Sequence, residues 1–110
     1  MPRPPLDLLQ GTLDVLILKT LTWRPMHGYG ISRFIRQCTD GVLGIEDAAL
    51  YQALHRLDRR GWVQSEWGIS ETNRRAKFYQ LTTAGRQQLR AETSTWRQYA
   101  EAVAKVLELA

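Results

Sequence analysis

The residues of this sequence that could do chemistry are mainly cationic, and they concentrate in two short segments. The segment "HRLDRR" spans residues 55–60, and the segment "RRAK" spans residues 74–77. Guanidinium and ammonium groups bind phosphate, while the imidazole and amide groups beside them can hydrogen-bond to base edges. These clusters therefore indicate recognition of a polyanion such as nucleic acid. The alternative is that the charges only solvate an exposed surface.

The residues give little support to other kinds of site. Neither His27 nor His55 has a nearby nucleophile or a paired-carboxylate pattern, and the sequence has no phosphate-binding or dinucleotide-binding glycine motif. The single cysteine, Cys38, excludes an intramolecular disulfide, and the sequence shows no zinc-type ligand spacing. We therefore expect no catalytic residues, no metal and no cofactor. We interpret His27 as a turn residue or a buried hydrogen-bond donor.

The composition is typical of one globular domain. A chain of 110 residues with 44% apolar and 24% charged residues can bury one hydrophobic core. The formal net charge of +4 favours a polyanionic partner. The richest apolar stretch, "LDVLILKTL", is interrupted by Asp14 and Lys19 and is too short to cross a bilayer. With its lone cysteine, the chain is expected to be cytoplasmic and to have no membrane partner.

Apolar periodicity predicts the helices that must position the cationic segments. Spacings of three and four residues indicate helices over residues 7–22, 28–38, 47–60 and 82–110. The first helix has a second apolar stripe, formed by Leu8, Val15 and Leu18, which needs a cover outside the domain core. Cys38 falls on the apolar side of the second helix, so we interpret it as a core residue rather than a reactive thiol.

The third helix carries the most information about function. Its apolar residues, predicted to face the core, are Leu50, Ala53, Leu54 and Leu57. The rest of its surface mixes amide, imidazole and guanidinium groups that suit base edges and phosphates. The predicted contacts are Tyr51, Gln52, His55, Arg56 and Arg59. Among these, Gln52, His55 and Arg56 are the candidates for base edges. On this helix alone, simple solvation of an amphipathic surface explains the arginines equally well.

The pattern changes to an alternation of two after Gly61, which predicts two strands. The connection between them, from Gly68 to Ala76, is longer than a tight hairpin turn and should project from the body. With Arg59, the cationic residues Arg74, Arg75 and Lys77 are the candidates for phosphate contacts. The alternative is that these roles interchange with those of the base-edge candidates.

The final helix has an apolar face that a small domain cannot cover completely. This face, which we interpret as a dimerisation surface, comprises Leu89, Trp96, Tyr99, Val103, Val106 and Leu107. Threonine hydroxyls at its start can cap the free backbone amides. The alternative for Trp96 is that its ring packs on its own domain.

The order of three helices, a basic hairpin and a long helix is the layout of a winged helix-turn-helix. We therefore predict a mainly α fold with a small β-hairpin. Residues 1–82 would form the DNA-binding domain, and residues 83–110 would form a C-terminal dimerisation helix within the same structural unit.

Four stretches, taken in this order and spacing, resemble the PadR-like transcriptional regulators, in particular the short subgroup with a single C-terminal helix. They are "LLQGTLDVLILKTL", "HGYGI", "LYQALHRLDRRGWV" and "NRRAKFYQLTTAGRQQL", and the resemblance covers about residues 8–108. It implies a homodimer, usually a repressor, whose third helix enters the major groove of double-stranded DNA while the wing contacts the flanking backbone. It also implies that the C-terminal helix packs on the first helix of the partner.

The resemblance places Tyr51 and Gln52 near DNA, and Arg74, Arg75 and Lys77 in the wing. Many relatives carry proline after the tyrosine, where this chain has Gln52, so the local contact is expected to differ. Some relatives bind flat aromatic effectors at the dimer interface, where Trp96 could stack on such a ligand. The function predicted is repression from a near-palindromic operator. The alternative is a winged-helix module that binds another protein and has lost DNA binding.

Overall fold

Our computed structural model describes residues 11–110, and residues 1–10, which include Leu8, lie outside that part of the chain. The elements in chain order are α1 (Thr12–Thr20), β1 (Met26–His27), α2 (Gly28–Cys38), α3 (Asp47–Arg59), β2 (Val63–Ile69), β3 (Arg75–Leu81) and α4 (Thr83–Leu107). The prediction of a mainly α winged helix-turn-helix with a long final helix is confirmed.

The hydrophobic core lies where α1, α2 and α3 pack together under the base of the sheet. The buried residues of α3 are the four predicted from its periodicity: Leu50, Ala53, Leu54 and Leu57. They meet Ile17 and Leu18 of α1, both fully buried. The assignment of Leu18 to a partner-facing stripe is therefore corrected. Because α2, α3 and α4 all contact α1, a wide arc of this helix is buried within its own chain.

Two further positions differ from the sequence predictions. Cys38 is exposed, because it is the last residue of α2 and lies one turn beyond the core residue Ile35. Leu89 is buried and belongs to the chain's own core, so its assignment to a dimer interface is also corrected. It lies near the start of α4, where that helix still packs against α1.

The sheet has three antiparallel strands in the order β1, β3, β2. The hairpin register runs from Val63 opposite Leu81 to Ile69 opposite Arg75. β1 pairs with β3 through Met26 opposite Tyr79. The sequence interpretation recognised no strand before "HGYG", because a strand of two residues has no detectable alternation. This strand joins the start of α2 to the hairpin.

The base of the hairpin is joined tightly to the start of α4. The Thr82 hydroxyl accepts a hydrogen bond from the Gly85 amide at 3.0 Å, which confirms the predicted threonine cap, and it donates one to the Gly61 carbonyl at 2.7 Å. A Cβ at Gly85 would lie 2.0 Å from the Trp62 carbonyl oxygen, so only glycine fits there. These contacts fix the direction of the hairpin relative to α4.

Most of α4 projects from the body of the domain. Its buried residues are Gly85 and Leu89, both in its first two turns. The exposed apolar residues Tyr99, Val103, Val106 and Leu107 follow on its outer part. Across residues 11–110, we find no helix with both the length and the apolar character needed to span a membrane.

Candidate nucleic-acid interface

The exposed surface of α3 presents polar side chains in a continuous stripe. Gln52, His55 and Arg59 are exposed and spaced three and four residues apart, so they lie along one side of the helix. Tyr51 is 52% exposed and flanks this stripe. The opposite side of α3 is anchored by its buried leucines, so the stripe faces away from the core. We call these four residues the α3 stripe.

Arg56 is engaged within the chain. Its Nη2 donates a hydrogen bond of 2.6 Å to Oδ1 of Asp14 on α1. The side chain of Asp14 is 12% exposed and that of Arg56 is 46% exposed. The structure therefore pairs Arg56, one of the predicted base-reading residues, with a carboxylate of its own chain. The sequence held one signal of this pair, an acidic residue within the most apolar stretch of the chain, because a buried carboxylate needs a partner.

The loop at the tip of the hairpin is shorter than predicted. The strands extend to Ile69 and Arg75, so the loop covers residues 70–74, and Arg75 lies on a strand rather than in the loop. The Asn73 amide donates to the Ser70 carbonyl at 2.9 Å, and the Ser70 amide donates to the Arg74 carbonyl at 2.8 Å. Asn73 adopts a left-handed conformation with φ of 61°, which asparagine tolerates better than most residues. These bonds give the tip a defined shape.

One face of the hairpin changes from buried to cationic along its length. Val63, Tyr79 and Leu81 are buried at its base, and residues two apart on each strand share this face. The same face therefore carries Trp67 opposite Lys77, and Ile69 opposite Arg75, near the tip. All four of these outer residues are exposed. The hairpin, which we call the wing, thus extends the inner face of the sheet as a basic surface.

Trp67 is a residue of this surface that the sequence analysis missed. The Arg75 guanidinium carbon lies 4.6 Å from the centre of the Trp67 ring, a distance at which cation and ring attract each other. The Trp67 ring is 58% exposed. The alternation of "VQSEWGI" places Trp67 on the inner face, but the sequence alone does not give the hairpin register that sets Trp67 diagonal to Arg75.

A notch of about 470 Å³ separates the wing from the start of α2 and α3, and it joins the two predicted parts of the interface. Tyr51 lines it from α3, Tyr29 from α2, and Arg75 and Lys77 from the wing. The Tyr51 ring packs so closely over Gly28 that a Cβ there would lie 2.8 Å from its hydroxyl oxygen. The structure thus brings Tyr51, Arg75 and Lys77 together. Tyr29 was not predicted from the sequence.

Two ionisable residues near the notch, Tyr79 and His27, are influenced by their neighbours. Burial raises the pKa of Tyr79, and the neighbouring Tyr51 and Asp58 add to the shift. His27 caps α2, because its Nδ1 accepts a hydrogen bond of 3.0 Å from the Gly30 amide. Its Nε2 lies 3.5 Å from Oε2 of the exposed Glu71 in the wing loop. His27 therefore acts as a capping acceptor through Nδ1, a role that its interpretation as a turn residue or a buried donor did not include, and with Nδ1 accepting, a neutral ring carries its proton on Nε2, which faces Glu71.

A second surface lies between α1 and α4. Val15, Trp96 and Tyr99 line a groove of about 490 Å³ together with Glu92. Trp96 is 45% exposed, so its ring is partly covered by its own chain and partly free. Of the residues predicted for a dimer interface, the structure brings these three together, while Val103, Val106 and Leu107 continue along the exposed outer part of α4. Leu18 and Leu89 lie in the core instead.

The described part of the chain, residues 11–110, contains no group of three or more His, Cys, Asp or Glu side chains that could hold a metal ion. The arrangement can instead present hydrogen-bonding groups from α3 beside guanidinium and ammonium groups from the wing.

Comparison with known proteins shows the family to which such an arrangement belongs. The family model described as "Transcriptional regulator PadR-like family" matches residues 17–91. This range covers the core, α3, the wing and the start of α4. An uncharacterised protein from Lysinibacillus sphaericus is 26% identical over 102 residues, which cover 93% of this chain and 94% of that protein.

Solved structures show the same fold. A transcriptional regulator from Clostridium thermocellum superposes with a TM-score of 0.80 at 31% identity, covering 87% of this chain and 93% of that one. A PadR family transcriptional regulator from Eggerthella lenta gives a TM-score of 0.75 at 31% identity, with 92% and 86% covered. A PadR family transcription regulator from Clostridium difficile gives 0.72 at 25% identity, with 86% and 97% covered.

Proposed function

Since the chain belongs to the PadR-like family of transcriptional regulators, we propose that it is a repressor that binds operator DNA as a homodimer. The family is one of regulators rather than enzymes. The observation that carries the proposal is that Tyr51, which flanks the exposed polar side of α3, lines one notch together with the wing residues Arg75 and Lys77. With DNA as its partner, the protein acts in the cytoplasm.

The two parts of this surface have different tasks in the proposal. α3 enters the major groove, where Gln52 and His55 meet base edges, because amide and imidazole groups can match donor and acceptor patterns there. Arg59 contacts phosphate from the same helix. The wing residues Arg74, Arg75 and Lys77 contact phosphates of the flanking backbone, where they add affinity without reading sequence.

Two copies are needed to present two α3 stripes to one face of a duplex. In the proposed dimer, the exposed outer part of α4 and the groove beside Val15 are covered by the partner chain. Exposed apolar residues grouped on one projecting helix support this arrangement, since such patches mark interaction surfaces. The two recognition helices would lie about 34 Å apart, one helical turn of DNA, so the operator is near-palindromic.

The proposal is tested by selecting binding sites from random duplex DNA with the full chain, and by measuring the mass of the protein and of its complex. We expect a two-fold symmetric consensus and a complex containing two chains per duplex. Within that consensus, Gln52→Ala should change the preferred base at one position of each half-site. Single chains with no preference for any sequence would refute the proposal. A specific complex with another protein, without bound DNA, would favour a protein-interaction module.

A small aromatic effector is a second proposal, and it rests on Trp96. Its half-exposed ring borders a groove that also contains Val15 and Tyr99, so a flat aromatic molecule could stack there. The test is titration of the DNA complex with a planar phenol such as 2-naphthol, using the wild type and Trp96→Leu. Release of DNA by the wild type alone supports an effector site. Equal responses, or none, argue against it.

A further inference from the structure

The Asp14 carboxylate connects the two surfaces of the molecule through one contact. Asp14 lies in the first turn of α1 and Arg56 in the last turn of α3, and their side chains are joined by the hydrogen bond of 2.6 Å. The pair links residues 42 positions apart in the sequence. Each charge also has the sign that its helix end favours, because helix N-termini attract anions and C-termini attract cations.

The burial of Asp14 makes this contact hard to give up. The whole residue is 8% exposed, and burial of a charged group is costly unless a cation or hydrogen-bond donors compensate for the lost water. Arg56 provides a charge-assisted hydrogen bond, which is among the stronger kinds in proteins. Turning the guanidinium fully towards DNA would leave the buried carboxylate without this partner. The contact therefore competes with a DNA-reading role for Arg56.

The ion pair lies on α1, a helix that borders both the groove beside α4 and the core under α3. Val15, the next residue after Asp14, lines the groove that also contains Trp96 and Tyr99. Two and three residues further along α1, Ile17 and Leu18 are buried in the core that supports α3. One short helix thus contacts the proposed dimer surface and holds the DNA-reading helix through neighbouring residues.

We propose that Arg56 is a positioning residue, whose ion pair with Asp14 sets the orientation of the α3 stripe relative to α1, and that it does not contact DNA. This inference rests on the proposed function and concerns the same surface. It assigns sequence reading to Gln52 and His55, and it makes Asp14, a residue remote from the α3 stripe, a determinant of operator affinity.

Asp14→Asn separates the two roles of Arg56 because they predict effects of opposite direction. If Arg56 positions α3, loss of the charged partner loosens the helix and weakens binding to the selected operator. We expect about a tenfold increase in Kd, equivalent to roughly 1.4 kcal/mol. If Arg56 contacts DNA, the same change frees a cation and removes a negative charge, so binding becomes tighter. The measurement is fluorescence anisotropy on labelled operator, below the unfolding temperature of each variant.

Arg56→Gln gives a second and independent readout. Each lost phosphate contact makes the negative slope of log K against log salt smaller in magnitude by about 0.9, whereas loss of a positioning residue leaves the slope unchanged. We therefore expect weaker operator binding at the wild-type salt slope. The double variant Asp14→Asn, Arg56→Gln should bind the operator no more weakly than the single variant with the lower affinity, because both substitutions break the same ion pair.

Asp40→Asn is the matched control for removal of one negative charge. Asp40 is exposed, and its φ of 51° is one that asparagine adopts readily. The Kd of Asp40→Asn for the operator should stay within about twofold of the wild-type value, since an exposed charge is well screened.

The inference is overturned if Asp14→Asn binds the operator as tightly as the wild type or more tightly, if Arg56→Gln reduces the magnitude of the salt slope by one contact, or if Arg56→Gln changes the preferred base at a position of the half-site. Should Asp14→Asn fail to fold, Arg56→Gln decides through two readouts, the salt slope, which reports a phosphate contact, and the preferred base at each half-site position, which reports a base contact. Failure of the wild type to bind any duplex would instead refute the proposed function, so the two failures are distinguishable.

Discussion

The Trp67 ring lies under the Arg75 guanidinium, 4.6 Å from its carbon atom, across the two strands of the wing. The two residues are diagonal neighbours on one face, because Trp67 pairs with Lys77 and Ile69 pairs with Arg75. Arg75 is the first residue of β3, so its backbone is also held by the sheet. The guanidinium is therefore restrained, so less conformational freedom would be lost in the proposed contact with phosphate.

Trp67→Leu should weaken DNA binding although Trp67 carries no charge. The reason is that leucine cannot hold the Arg75 guanidinium through a cation–π contact, which is worth about 0.5 to 1 kcal/mol at exposed sites. We expect Kd to rise by about two- to fivefold. Trp67→Phe should retain most of the affinity. In an Arg75→Ala background, Trp67→Leu should have no further effect, and a full effect there would contradict the pairing.

The double variant Arg74→Ala, Arg75→Ala should weaken binding to all DNA sequences. Loss of two phosphate contacts should make the negative slope of log K against log salt smaller in magnitude by about 1.8. The control is Lys105→Ala, which removes a cation about 33 Å along α4 from its first residue. That variant should keep the wild-type slope. An unchanged slope in the double variant would show that the wing does not contact the backbone.

Gly85→Ala should destabilise the fold, whereas replacement of glycine by alanine within a helix normally stabilises it. The added Cβ would collide with the Trp62 carbonyl oxygen, 2.0 Å away, so either α4 or the base of the wing must shift. We expect a loss of about 3 kcal/mol in the free energy of unfolding, measured by urea denaturation.

Gly30→Ala is the matched control within α2. Its Cβ would meet no atom closer than 3.4 Å. Because alanine favours the helix, the variant should be stabilised by about 0.8 kcal/mol at most. Equal effects of the two substitutions would rule out the collision.

The Glu71 carboxyl should titrate at lower pH than an ordinary glutamate. Its own backbone amide and then His27 stabilise the ionised form, which lowers its pKa from 4.5. Its contribution to stability is therefore present above pH 4.5 and is lost as pH falls through the lowered pKa. The shift can be measured by NMR titration of the side-chain carboxyl carbon. In Glu71→Gln, the part of the pH dependence of stability that comes from this carboxyl should disappear. A midpoint at or above 4.5 would contradict the contact.

The sequence predicted the buried residues correctly where a helix has a single apolar side that packs on the core of its own chain. α3 is the clearest case, since its four buried residues follow from helical periodicity alone. It failed for Leu18 and Leu89, because an apolar stripe looks the same whether its own chain or a partner covers it. It also missed the ion pair of Arg56 with Asp14, because Asp14 lies on another helix and no local pattern links the two residues. The diagonal contact of Trp67 with Arg75 likewise depends on the strand register.

The sparse burial of α4 has a consequence for dosage. A helix of 25 residues that buries only Gly85 and Leu89 gains little support from its own chain, and isolated helical turns are marginal in water. In the proposed assembly, its outer turns become firmly ordered when two chains meet. Occupancy of a target gene would then rise more steeply than in proportion to the number of chains in the cell, so synthesis and turnover of the protein would themselves act as a sensitive control.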